Sequence, residues 1–498
     1  MDHCASVLLA FEPGASAGRQ LSNEQYDQEA RKHHHRVGRL MKEHAAELAA
    51  NGLNLLQHLD PALNSISYLT ILDSLVPSDP TQATDYNPAL AEAIVNFLCR
   101  FDTRQIRYAG APFTNLFTAV GSGSILPASI AVTVLTTALR RLDPQGHTMT
   151  SNHLTLAKLA YHSNNVAPAL PVISQSIVFY PGMMNSYSET RRICDPSLPS
   201  QSYLTRDTGL TTSLRPAQVL EYEYLVGLMF CSLRDWAAAT AAFERIITFP
   251  SRDAGVSKVM VEAHKKWVLT SLLRSGKSAS QPALVSGPTS RTFGILSKHY
   301  LQIAEHFDAL DVTALRTAVT EHASSFGDDG NEGLVREILA TFQQWQIYFL
   351  RDVYAKVSIA ELRATTYNAD TGGHLASDAA ITDLVRRMIS LGMLAAAIHE
   401  AEGGRPAYLE FLPESKSATS EAEYARALAA SAQRLRQLKA TLGTMDERLV
   451  MGKEYARYQL KEQQRREKAG RDDGRGDPSG FDEQIEDEDL MGGTMSMH

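Results

Sequence analysis

Residues 222–250 run YEYLVGLMFCSLRDWAAATAAFERIITFP. Tyr222, Leu225, Val226, Leu228 and Phe230 recur at helical spacing, which predicts a helix through Val219–Phe230. Arg234-Asp235 makes a short turn, and Ala239, Phe243 and Ile246 give a second helix. A tetratricopeptide-like pair wants a small residue, an aromatic three later, an Ala nine beyond that, an aromatic four later and a closing Pro. Here those are Gly227, Phe230, Ala239, Phe243 and Pro250, the Pro one place early. The small residues let two helices approach, and the aromatics fill the groove between neighbours. A weaker copy stands upstream as Ala157, Ala160, Ala169, Ile173 and Pro181. Two copies predict an α-solenoid, in which each helix pair buries its face against the next.

Outward from that stretch, Leu40 to Lys277 reads as helix almost throughout, with no long alternation that would predict a sheet. Leu53, Leu56, Leu59, Leu63, Ile66 and Leu69 are spaced by threes and fours, with a new helix expected at Asp60-Pro61. Pro77 and Pro80 mark a loop, and Pro88 opens the next helix. No residue between Arg107 and Arg140 is charged, yet Gly121-Ser122-Gly123-Ser124 and Pro127 interrupt the run. Its apolar part, Ile125–Leu139, is too short and polar to cross about 30 Å of hydrocarbon, so a buried helix pair is expected. Residues 1–40, poor in apolar side chains, are expected to be disordered, and His33-His34-His35 to be a solvated run with at most weak metal affinity. The start carries no basic, apolar leader, so no targeting segment is expected. The Ser-, Thr- and Pro-rich insertion 182–215 predicts a surface loop, as does Ser278–Ser290. Helices follow through Phe293–Phe307, Val312–His322 and Glu332–Val357.

The pattern changes after Val357. Ser358 caps a short helix at Ile359–Leu362, and Ser377 with Asp378 starts another that ends at Gly392. Met393–His399 and Ala407–Leu412 are short strand-like runs around Glu402-Gly403-Gly404-Arg405. Helix, loop, helix, hairpin is the plan of a winged helix. The second helix would read DNA in a nucleic-acid-binding winged helix. Its charges, Asp378, Asp383, Arg386 and Arg387, are evenly split, a poor surface for phosphates, so a protein-packing wing is expected. A last helix runs from Ser417 to about Lys468. Leu428, Leu435, Leu442 and Leu449 fall seven apart, with Leu438 and Met445 three residues after two of them, which makes a heptad seam. The seam packs on the helix's own domain or, as favoured by a helix leaving its domain, on partner chains. After Arg475 the tail is acidic and predicts disorder; a solubilising tail is the favoured reading, with a site for an acidophilic kinase at Ser479 and Asp482 as the alternative.

The chain has 498 residues, with 48 Lys plus Arg against 56 Asp plus Glu, a net charge of −8. That balance argues against a nucleic-acid coat. Four scattered cysteines exclude a disulfide scaffold and a zinc ribbon. Gly276-Lys277-Ser278 resembles the end of a phosphate loop, but Ser271 stands where its first Gly belongs. His399-Glu400 begins a zinc-protease pattern whose second His is replaced by Gly403. No other catalytic or cofactor motif is present, so no enzyme, cofactor or metal is expected.

Helical repeats, a winged helix and a terminal helix in that order resemble the PCI-domain family, the scaffold subunits of the proteasome lid, the signalosome and a translation initiation factor. Residues 222–250, with VSKVMVEAHKKWVLTSLLRSGK at 256–277, Pro168–Pro171 and Gly333-Leu334-Val335, are similar to the subunit 3 family of the COP9 signalosome. The resemblance implies an all-α-dominated fold: a solenoid of repeats, a winged-helix PCI subdomain and a long carboxy-terminal helix. The parts expected are a disordered segment 1–40, repeats over 41–215, the helical PCI part 216–357, the winged helix 358–415, the bundle helix 416–468 and a tail 469–498. It implies a non-catalytic scaffold supporting cullin deneddylation, in cytoplasm and nucleus, bound to other signalosome subunits through the winged helix and through Leu428, Leu435, Leu438, Leu442, Met445 and Leu449. Cullin–RING ligases are implied as further partners, and neither a membrane nor nucleic acid is expected. A scaffold of the proteasome lid or initiation factor, or a nucleic-acid-binding PCI protein, stays open at this point.

Overall fold

The computed structural model of the chain describes residues 2–11, 21–76, 87–180, 192–250, 255–401, 406–412, 421–451, 455, 457, 459 and 460. The chain divides into two compact units, Met1–Gln437 and Leu438–His498.

The first unit is a stack of helices ending in a small sheet. Its centre is the pair predicted from residues 222–250. Helix Pro216–Ser232 starts on Pro216, whose missing N–H costs nothing at a helix start, and Asp235 caps helix Trp236–Ile247 by accepting from the Ala238 N–H. Between them Arg234 takes a positive φ of 58°. The Phe243 ring lies over Gly227, where an added Cβ would fall 2.6 Å from the ring edge. Helix Lys258–Ser275 packs next and closes on Gly276, at φ 67°. The uncharged run is the buried pair expected, Gly110–Gly121 and Ala128–Leu142. Among the described residues no helix is long and apolar enough to cross a membrane.

Three expectations need correction. Residues 1–40 are not a loose segment where described: Asp2–Leu8 and Asn23–Glu43 are helices. Ser22 and Gln25 form a reciprocal cap, and Tyr26, Ala30, His33, Val37 and Leu40 make the buried face. His33 behaves there as an apolar side chain, stacked on Phe11 and hydrogen-bonded to Ser67 at 2.9 Å, so the metal reading of the histidine run lapses for it.

The insertion is not a surface loop where described. The Arg107 guanidinium donates to the Ile193 and Asp195 carbonyls at 2.7 Å each and lies over Tyr203, whose hydroxyl donates to the Leu142 carbonyl at 2.7 Å. Cys194, Leu204 and Leu210 are fully buried. Arg107 and Tyr203 thus tie this segment to the stack by hydrogen bonds.

The weaker repeat keeps its first helix, Ser151–His162, but its second shrinks to Leu170–Ile173 after a turn at Ala167–Ala169. Pro168 and Pro171 lack the N–H groups a longer helix needs. The chain then leaves through a parallel bridge between Thr148 and Phe179. Pro77, Pro80, Pro181, 182–191, the turn Glu402–Arg405 and the tail with Ser479 lie outside the described residues.

The winged helix forms as predicted, with one strand more. β1 (Lys356–Ser358), β2 (Ala396–His399) and β3 (Tyr408–Phe411) pair antiparallel in the order β1-β3-β2. Ser358 and Ser377 cap helices Ile359–Thr365 and Asp378–Ser390 as expected. Leu362, Ile381, Val385 and Leu409 make a core that takes Ile347 from helix Glu332–Leu350. That helix runs into the wing's own core, and Gln343 donates to Thr366 Oγ1 while Gln346 Oε1 accepts from the Tyr367 N–H.

Ala in place of Gly gains about 0.5–1 kcal/mol of helix propensity, and overpacking costs about 1–3 kcal/mol. Gly227→Ala is therefore expected to lower the urea midpoint, while Gly443→Ala, with nothing within 4 Å, raises it or leaves it unchanged. A higher midpoint for Gly227→Ala would show that the contact yields freely.

Burial also lowers His33 and His264 to a pKa of about 4, below the roughly 6.5 of the unfolded chain. Their contribution is whole above the unfolded value. It is lost as pH falls from there through the folded value, because the unfolded chain takes protons that the native state refuses. Urea titrations between neutrality and the folded value should show stability falling by roughly 1 kcal/mol per pH unit per histidine, and His264→Gln should flatten that fall. An unchanged slope in the variant would contradict the assignment.

Candidate functional site

Two surfaces carry unspent binding capacity, the edge of the sheet and the terminal helix. In the sheet, β3 is central, and β1 and β2 are edges whose outer backbone groups have no strand beside them among the described residues. Leu409 pairs with Val357 and Ile398 and is fully buried, so the neighbouring residues of β3 face outward. On that outer face His399 stacks on Tyr408 at 4.6 Å and meets Glu410 at 2.9 Å, and Lys356 lies 3.3 Å from Glu410 on the other side. Lys356 first, and then His399, hold the Glu410 carboxyl below the usual carboxylate range. The three strands are thus tied across their outer face by charge, and the edges are left for pairing.

On the helix that would enter a nucleic-acid groove, Arg386 is engaged by carboxylates while Arg387 stands exposed. Arg386 meets Asp383 at 3.3 Å and Glu400 at 3.5 Å, and Arg363 from the preceding helix meets Asp378 at 3.0 Å. A phosphate would have to displace carboxylates from these groups, as the balanced charges of the sequence imply. Leu391, at the end of that helix, and Val353, before β1, are about three-quarters exposed. The sequence reading named neither. Leu391 stands just ahead of Gly392, outside the helical spacing that marks a buried face.

The terminal helix spans Glu421–Met451. Leu428 and Leu435 are 61% and 68% exposed, in line with Tyr424, and Leu442 is half exposed. Leu438 is half-buried; Met445 and Leu449 belong to the helix by backbone, and their side chains lie outside the described residues. Arg434 donates to Ser176 Oγ on the solenoid, while Leu428 and Leu435 stay exposed. Burying a leucine is worth about 2 kcal/mol, so the exposed Leu428, Leu435 and Leu442 leave apolar surface uncovered on one face.

The sites where sequence suggested chemistry do other work. Gly276 is a helix cap, Lys277 lies 4.7 Å over the Phe349 ring, and Ser278 is bound to Asp308, so no phosphate cradle forms. His399 sits on β2, not on the helix that a zinc-protease pattern requires.

The sequence profile of a family described as COP9 signalosome complex subunit 3, N-terminal helical repeats, matches residues 25–287. COP9 signalosome complex subunit 3 of Neurospora crassa is 35% identical over 502 aligned residues, covering 99% of each chain. The subunit of the same name from Emericella nidulans is 30% identical over 316 residues, which is 62% of this chain and 63% of its own.

Proposed function

This chain belongs to the family of COP9 signalosome subunit 3, and we propose that it acts as a non-catalytic scaffold subunit of that assembly. The helical stack holds the wing in place through Ile347. The wing offers its strand edges to neighbouring subunits, and Leu428, Leu435, Leu438, Leu442, Met445 and Leu449 form the seam that enters a helical bundle with them. Through the assembled signalosome the chain supports cullin deneddylation and so regulates cullin–RING ubiquitin ligases, in cytoplasm and nucleus. The observation that carries this reading is the row of exposed leucines on a helix that touches its own solenoid at a polar point. The paired arginines of the wing favour a protein partner over nucleic acid.

The expected consequence is specific to the seam. Replacing Leu435, Leu438 and Leu442 together with Asp removes three apolar contacts worth about 2 kcal/mol each and puts charges in their place. The variant should keep its helical circular dichroism and its thermal midpoint, yet lose the other signalosome subunits in affinity purification. Full retention of those subunits by the folded variant would exclude the seam.

A further inference from the structure

The amino-terminal helix brings a thiol to a place where two other metal-ligating side chains already meet. Cys4, on helix Asp2–Leu8, is 3% exposed and is a free cysteine. His44 sits at the joint where helix Asn23–Glu43 ends and helix Ala45–Gln57 begins, and its imidazole makes no capping hydrogen bond. Glu47 lies in the first turn of the second of those helices, its carboxylate 3.3 Å from His44 Nδ1. One donor atom from each of the three residues lies within 4.8 Å of the other two.

We propose that Cys4, His44 and Glu47 bind one zinc ion. The chemistry selects the metal. Thiolate, imidazole and carboxylate together suit Zn(II), whereas Mg(II) and Ca(II) want oxygen alone and Cu(I) favours soft sulfur. The spacing suits it too. Zinc bonds of about 2.0 Å to nitrogen and oxygen at tetrahedral angles place those two atoms roughly 3.3 Å apart, and His44 and Glu47 already stand at that separation. Glu47 is exposed and Cys4 is buried, so the thiolate comes from the protein side and the fourth position is left to water. Binding displaces water from the aqueous ion and releases the thiol proton to solvent as the sulfur–zinc bond forms; nothing is oxidised or reduced.

The site has a structural use. A helix of seven residues is too short to stand alone. Its far end is tied down where Ser67 donates to the Leu8 carbonyl at 2.7 Å. Zinc on Cys4 fastens the near end to the joint of the next two helices.

The test uses the full-length chain without a histidine tag, loaded with zinc, dialysed and assayed for metal by mass spectrometry, with cobalt(II) titration in parallel. Stoichiometric zinc and a thiolate-to-cobalt charge-transfer band are expected. Cys4→Ser should abolish both, Glu47→Gln should weaken zinc at least about tenfold, and His35→Gln should change neither. Wild-type protein that keeps only traces of zinc and shows no thiolate band would overturn the proposal, as would full zinc retention in Cys4→Ser. Should Cys4→Ser misfold by circular dichroism, the exposed Glu47→Gln variant decides: unchanged affinity there rejects the site.

Discussion

The contact of the Phe243 ring with Gly227 sets the spacing on which the rest of the stack is built. It draws helix Trp236–Ile247 close to helix Pro216–Ser232, and helix Lys258–Ser275 packs against the result. On the far side of that third helix a polar network continues the order. Lys265 bonds Glu262 and Asp329 at 2.8 Å each, Tyr300 donates to Asp329 at 2.7 Å, and buried Lys266 donates to Asn331 at 2.6 Å. Burial alone would raise the Asp329 carboxyl, but the hydrogen bonds from Lys265 and Tyr300 outweigh it and keep the pKa low. Each helix pair satisfies itself against the next, which is why one hydrophobic cluster takes in most of the stack, with Phe11, Tyr26, Ala30 and Cys194 in a small cluster of their own.

A stack of this kind needs an end, and the winged helix supplies it. Ile347 joins the two, projecting from helix Glu332–Leu350 into the core of the sheet domain. The orientation of the strand edges is therefore set by the stack. Several charges on the wing meet one another: Glu410 lies between Lys356 and His399, and Arg386 between Asp383 and Glu400. Among what remains open are backbone at the strand edges and leucine on the terminal helix. Such surfaces suit a signalosome subunit that holds other proteins in place.

The sequence was most legible where short-range chemistry decides. The small-to-aromatic spacing at Gly227 and Phe243, and the capping serines Ser358 and Ser377, each act within a few residues, so their helices lie where they were expected. The candidate seam was legible as periodicity, and the exposure of Leu428, Leu435 and Leu442 agrees with a face not used for folding. It was less legible where distant partners decide. Helix Asn23–Glu43 hides its buried face because Ala30 and His33 count as small and polar until Phe11 and Ser67 meet His33. Residues 192–215 look like a loop until Arg107, far away in sequence, binds two of their carbonyls. β1 is three residues long, too short for alternation to show, and exists because β3 pairs with it. Cys4, His44 and Glu47 form no contiguous motif, and only the fold brings them together.

A scaffold subunit is identified by the proteins it holds in its own cell. The measurement is a mild affinity purification of the intact chain from its own cells, with mass spectrometry of the eluate and an assay for cullin deneddylation. The account predicts the remaining signalosome subunits together with deneddylation activity. Proteasome-lid or translation-factor subunits, without that activity, would contradict it.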